Sequence, residues 1–101
     1  MTMYTAPEVA SAFAALYANE NGLRDKLMAF WSVVAEKFAP NENVIGYDIL
    51  NEPWAANLYH NATLFTHPES FDRDVLFGLE QEASQTVRQK DQSHFIFFEP
   101  A

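Results

Sequence analysis

An α/β architecture with parallel strands is the fold class this sequence predicts. Three observations support it: three apolar stripes recur at helical spacing, two short runs are rich in strand formers, and helical and strand segments alternate along the chain. With 49% hydrophobic and 15% aromatic residues among 101, the composition is that of a folding chain, which excludes disorder, collagen and coiled coil.

Thr5-Ala6-Pro7-Glu8 reads as a capping box with Pro in the first turn, so a short helix is expected after Thr5, carrying Val9, Phe13, Leu16 and Tyr17 on one side. Asn19-Glu20-Asn21-Gly22 breaks it. A second helix then presents Leu23, Leu27, Phe30, Trp31, Val34 and Phe38 as its apolar stripe until Pro40 and Asn41-Glu42-Asn43 stop it. Val44 to Leu50 is a nearly continuous apolar run, suited to a parallel strand covered on both faces. The stretch from Asn51 to about Phe71 has no period, and its length and its aromatics Trp54, Tyr59, Phe65 and Phe71 mark it as a functional loop. A helix resumes from Asp72, its expected cap, to Lys90, with Val75, Leu76, Leu79, Ala83 and Val87 on one face. His94 to Glu99 reads as the second strand. Two parallel strands cannot cover their own faces and edges, and a barrel of eight strand-helix units needs about 250 residues. Residues 1–101 are therefore expected to be a fragment of a single larger domain.

Charge and composition narrow the function. Six basic against fourteen acidic residues, a formal net charge of −8, leave no cationic cluster for a phosphate backbone, so nucleic acid is not an expected partner. Three scattered glycines cannot build a phosphate-cradling loop, which argues against a nucleotide cofactor. The absence of cysteine removes thiolate chemistry and sulfur-ligated zinc but says nothing of compartment. No apolar run has the roughly 18 residues of a membrane span, and Met1-Thr2-Met3-Tyr4 has no signal-peptide character. His60 and His67, with Asp72 nearby, lack metal-site spacing on any regular element, so no metal is expected.

Asn51-Glu52-Pro53 sits at the C-terminal end of the first strand, where parallel α/β proteins place reactive groups. Counting by twos puts Gly46, Asp48, Leu50 and Glu52 on one face, suited to a barrel interior, and Ile45, Tyr47, Ile49 and Asn51 on the other, with the apolar trio wanting helices behind it. Parity often breaks at a strand end, which leaves Asn51 free to reach the mouth as well. Pro53 fixes φ and terminates the strand. A partly desolvated carboxyl at such a mouth has its pKa raised towards the range of a general acid, which makes Glu52 a catalytic candidate; the competing reading has it capping or salt-bridging a neighbouring loop. Asp48 is expected to be a buried, paired structural charge rather than a catalyst.

Tyr47-Asp48-Ile49-Leu50-Asn51-Glu52-Pro53-Trp54 resembles the strand-four signature of the family five glycoside hydrolases, and Asn43 through Trp54 looks especially like their endoglycoceramidase branch. Asn57-Leu58-Tyr59-His60, Thr66-His67-Pro68 and Phe97-Phe98-Glu99-Pro100-Ala101 are similar to that branch too. The resemblance implies a partial (β/α)8 TIM barrel running from the third helix through the fifth strand. It implies Glu52 as general acid/base of a retaining glycosidase and Asn51 as the partner of the sugar 2-hydroxyl. Such a transition state strengthens the 2-hydroxyl bond while the acid protonates the departing oxygen. Trp54, next to the motif, is expected to stack on a pyranose ring, with core packing as the alternative. The family's nucleophile would lie beyond Ala101, so the isolated chain is expected to be inactive, and Glu99 is read as rim or structural. The expected partner is a glycan or glycolipid cleaved at the glycan-ceramide bond, with no cofactor. Leu58, Tyr59, Leu64 and Phe65 suit a lipid aglycone or else pin the loop. A β-glucanase, a glucosylceramidase and a non-catalytic glycan-binding or truncated relic are the rivals. Asn61-Ala62-Thr63 is a glycosylation sequon, which matters if the parent is extracellular or passes through a secretory pathway.

Overall fold

The computed structural model describes residues 6–55 and 66–101. Helix α1 (Pro7–Tyr17) starts one residue later than a Thr5 cap would place it, and Ala6 stands at its N-cap without a side-chain hydrogen bond. Pro7 explains the start: it needs no N–H in the first turn, and it holds Ala6 in an extended conformation. Thr5 itself lies outside the described residues. The break after α1 uses left-handed backbone at Asn19, Asn21 and Gly22, residue types that tolerate positive φ. The Asn19 amide accepts the Asp25 N–H and donates to the Asp25 carboxylate, securing the first turn of α2 (Leu23–Phe38).

The buried face of α2 is rotated from the expected stripe. Met28, Trp31 and Ala35 are buried, Leu27, Val34 and Phe38 pack at the margin, and Leu23 and Phe30 are 39% and 55% exposed. The reason is the partner helix. After α3 (Pro68–Phe71) and a π-helical turn at Asp72–Leu76, α4 (Phe77–Arg88) lies along α2, with Ala35 and Ala83 both fully buried and the Thr86 hydroxyl against the Met28 sulfur. Arg24 on α2 also pairs with Glu82 on α4 at 2.6 Å. Asp72 does not cap this segment: Phe71 ahead of it is already helical, and the Asp72 carboxylate accepts the Ala101 N–H instead. Phe71, expected in the loop, joins the core, as do Leu76, Leu79, Ala83 and Val87, whereas Val75 stays exposed.

The strands are shorter than their apolar runs. Strand β1 (Gly46–Asp48) pairs in parallel with β2 (Phe95–Phe97), with Gly46 opposite Phe95, Tyr47 opposite Ile96 and Asp48 opposite Phe97. The alternation expected for β1 holds at Tyr47 and Ile49, both buried against the helices, but fails at Ile45, which is 75% exposed just ahead of the paired residues. Asp48 is exposed on the front face rather than buried. Beside it on that face lie Phe95 and Phe97, exposed and with ring centroids 6.2 Å apart. A Cβ at Gly46 would come within 2.3 Å of the Phe95 carbonyl oxygen, so only glycine allows this close approach of the strands.

Behind the sheet, the carboxylate of Asp91 is fully buried. It accepts the Tyr47 hydroxyl at 2.6 Å, the backbone N–H groups of Ser93 and His94, and the His94 ring through Nδ1. Nε2 of the same ring lies 2.8 Å from the Asn41 carbonyl oxygen, so one imidazole links the α2–β1 connection to the start of β2. Burial alone would raise the Asp91 carboxyl, but the bonds from Tyr47, Ser93 and His94 outweigh it and hold it well below the usual carboxylate range. The Tyr47 hydroxyl is pushed up to about 12 by burial and by the Asp91 carboxylate.

Gly46→Ala is expected to cost about 3 kcal/mol, because the clash is with backbone; a urea midpoint within error of the wild type would contradict it. Asp91→Ala is expected to cost about 3 kcal/mol or more by stranding four donors. Because the folded pKa of Asp91 is depressed, its stabilisation is present above about pH 4 and is lost as the pH falls further. The raised Tyr47 value acts in the other direction: its contribution is complete below pH 10 and disappears as the pH rises from 10 towards 12. Thermal unfolding as a function of pH should show both declines, the acid one smaller in Asp91→Ala and the alkaline one smaller in Tyr47→Phe, where the raised Tyr17 hydroxyl still contributes.

Candidate active site

The chain leaves β1 through Ile49, whose N–H still bonds the Phe97 carbonyl oxygen at 3.3 Å, and reaches Asn51 and Glu52 exposed at the C-terminal end of the sheet. Glu52 has φ of 45°, the left-handed region, which costs a non-glycine residue roughly 1–2 kcal/mol. Two neighbours hold this turn. The Glu99 carboxylate, just past β2, accepts the Glu52 backbone N–H at 2.8 Å, and Pro53 is buried directly after it. The Tyr17 hydroxyl then donates to the Trp54 carbonyl oxygen at 2.6 Å, tying the segment to α1. Tyr17 is buried edge-on against Phe71, and burial, followed by the Glu80 and Asp72 charges, raises its hydroxyl far above the ordinary value.

Three carboxylates thus gather at one end of a parallel strand pair. Asp48 and Glu52 come from β1 and its continuation, and Glu99 from the end of β2. Desolvation, a hydrogen bond to Glu99 and the Glu99 charge raise the Asp48 carboxyl, so Asp48 holds its proton more tightly than a free side chain. The exposed Asn51 neighbours Glu52, and Trp54 is half-buried. An exposed carboxyl at a sheet mouth, on a backbone held from two sides, can deliver or remove a proton at a bound group. A cleft of about 650 Å³ opens beside this cluster: it shares Glu99 with it, and is otherwise lined by residues of the α3–α4 segment together with Phe98 and Pro100.

Among the described residues no group of three or more His, Asp or Glu side chains is placed to hold a metal ion, and no helix is long and apolar enough to cross a membrane. His67 lies 3.2 Å from Glu69 on the surface. His60, the Asn61 sequon, Leu58, Tyr59, Leu64 and Phe65 fall outside the described residues.

Residues 7–101 match the family described as Cellulase (glycosyl hydrolase family 5). The chain belongs to that family. It is also 36% identical over 96 residues to an endoglycoceramidase of Hydra vulgaris, covering 95% of this chain and 18% of that protein. An endoglycoceramidase of Cyanea nozakii is 34% identical over 96 residues, covering 95% of this chain and 19% of that protein. The chain thus spans about a fifth of the length of these relatives. Family membership implies a TIM barrel, and helices packed behind a parallel strand pair are compatible with part of one.

The sequence singles out Asn51, Glu52 and Trp54 as candidates but not what supports them. Tyr17 reads as one more apolar position on α1, and nothing local marks its hydroxyl as a long-range donor. Glu99 lies 47 residues from Glu52, and only the strand register brings them together. Tyr17→Phe is expected to cost about 1 kcal/mol in stability through the loss of the bond to Trp54, measurable as a small drop in unfolding temperature; an unchanged melt would remove the tether.

Proposed function

We propose that this chain is part of a single catalytic (β/α)8 barrel, from its third helix through its fifth strand, in a retaining O-glycosyl hydrolase that cleaves the glycan-ceramide bond of glycosphingolipids. The observation that carries the reading is the Asn51-Glu52-Pro53 turn at the C-terminal end of a parallel strand, its backbone held by Glu99, in a chain of glycosyl hydrolase family 5. Glu52 is then the general acid that protonates the departing glycosidic oxygen and the base that later deprotonates water, and Asn51 bonds the sugar 2-hydroxyl. Trp54 offers an aromatic face to the sugar. The ceramide specificity is supported by the two relatives named as endoglycoceramidases, and by nothing in the described residues themselves.

Retention requires a second carboxylate about 5 Å from the first to attack the anomeric carbon. Glu99, the carboxylate that meets the Glu52 backbone, is engaged by the Glu52 amide, so the isolated 101-residue chain is expected to show no turnover.

The test is Glu52→Gln in an intact barrel carrying this segment. Turnover of a natural glycolipid should fall on the order of 10²–10⁴-fold, and that of an aryl glycoside with a good leaving group much less, since the latter needs little protonation. Equal turnover of the natural substrate by both proteins would sink the assignment. Products decide the specificity: intact oligosaccharide plus ceramide supports this reading, whereas free glucose or glucan pieces would move it to another family five activity.

A further inference from the structure

The left-handed turn at Glu52 has no local cause. Neither Asn51 nor Glu52 is a glycine, and the following proline constrains its own φ and favours an extended residue before it. A positive φ at a carboxylate-bearing residue persists where surrounding groups over-determine it, and such outliers cluster at functional turns. Here the over-determining group is visible. Glu99 Oε2 receives the Glu52 N–H at 2.8 Å, a charge-assisted bond, while the same carboxyl group is hydrogen-bonded to Asp48 on the neighbouring strand.

We propose that Glu99 is a positioning residue for the glycosidase reaction: its carboxylate, clamped between Asp48 and the main-chain amide of Glu52, holds the Glu52 backbone left-handed and so aims the Glu52 carboxyl at the sheet mouth. The inference rests on Glu52 being the acid/base. It assigns Glu99 no contact with substrate and no proton transfer. The register supports it, because Asp48 pairs with Phe97 at the end of the ladder and the Glu52 amide meets the Glu99 side chain just beyond it. The Asp48 carboxyl, raised by desolvation and by its hydrogen bond to Glu99, lies beside that carboxylate.

The test uses an intact barrel carrying these residues, with active sites counted by burst titration so that any misfolded fraction drops out. Glu99→Ala and the volume-preserving Glu99→Met remove the acceptor. Both are expected to lower kcat per active site on the order of 100-fold, as an ångström-scale misplacement does, with KM changed by less than about threefold. Glu99→Gln keeps an acceptor oxygen and should recover kcat to within about tenfold of the wild type. A crystal structure of Glu99→Met should show Glu52 outside the left-handed region. Unchanged kcat per active site in both acceptor-less variants, or a Glu52 φ that stays near its present value without Glu99, overturns the proposal. Glu52→Gln run alongside separates the two readings. If it abolishes natural-substrate turnover while the Glu99 variants leave kcat untouched, only the positioning role fails; if it leaves turnover intact, the acid/base assignment fails and takes this inference with it.

Discussion

A buried carboxylate that nothing neutralises would be intolerable in this core, and the way Asp91 is satisfied fixes most of what lies in front of it. Its oxygens take the Tyr47 hydroxyl from β1, two amides and the His94 ring from the turn entering β2, and through His94 the carbonyl of Asn41. One side chain therefore joins the two strands from behind and ties down the connections leading into both. With Tyr47 anchored opposite Ile96, the register follows, and Glu52 and Glu99 leave the sheet as neighbours. The chemistry proposed at the sheet mouth thus depends on a hydrogen-bonded carboxylate on the opposite side of the sheet.

The two faces of the strand pair are built on different terms. The rear is packed, with Tyr47 and Ile49 against α2 and α4 and an edge-to-face contact between Tyr47 and Trp31. The front carries Gly46, Asp48, Phe95 and Phe97, exposed aromatics beside carboxylates, which is the residue mix of a barrel lining rather than of a solvent face. Gly46 is a hinge between these requirements: its missing side chain lets the Phe95 backbone approach and leaves room for the Phe97 ring. The indole N–H of Trp31, buried at the rear, has no partner among the described residues.

Strain and support are paired at the candidate active site. Glu52 takes the unfavourable left-handed conformation, and Glu99, the buried Pro53 and the Tyr17–Trp54 bond hold the chain on either side of it. Desolvation, with the neighbouring Glu99, raises the Asp48 carboxyl there. A backbone held from both sides is what a group that must meet a bound ligand in one geometry requires.

Much of this was legible in the chain order. The alternation of helix and strand, the Asn19 to Gly22 break and the Asn51-Glu52-Pro53 turn at a strand end depend on local preferences and side-chain periodicity, which sequence carries directly. Family membership was legible in the same octapeptide. The rotated face of α2, the helical path through Asp72 and the exposure of Asp48 and Ile45 were not, because each depends on which neighbour a residue meets: α4 for α2, Ala101 for Asp72, and an uncovered front face for Asp48. The sequence by itself determined where the candidate carboxylate sits along the chain. Only the tertiary structure decided what holds it, since Glu52 and Glu99 are 47 residues apart and the pairing of β1 with β2 is the sole reason one carboxylate meets the other's backbone.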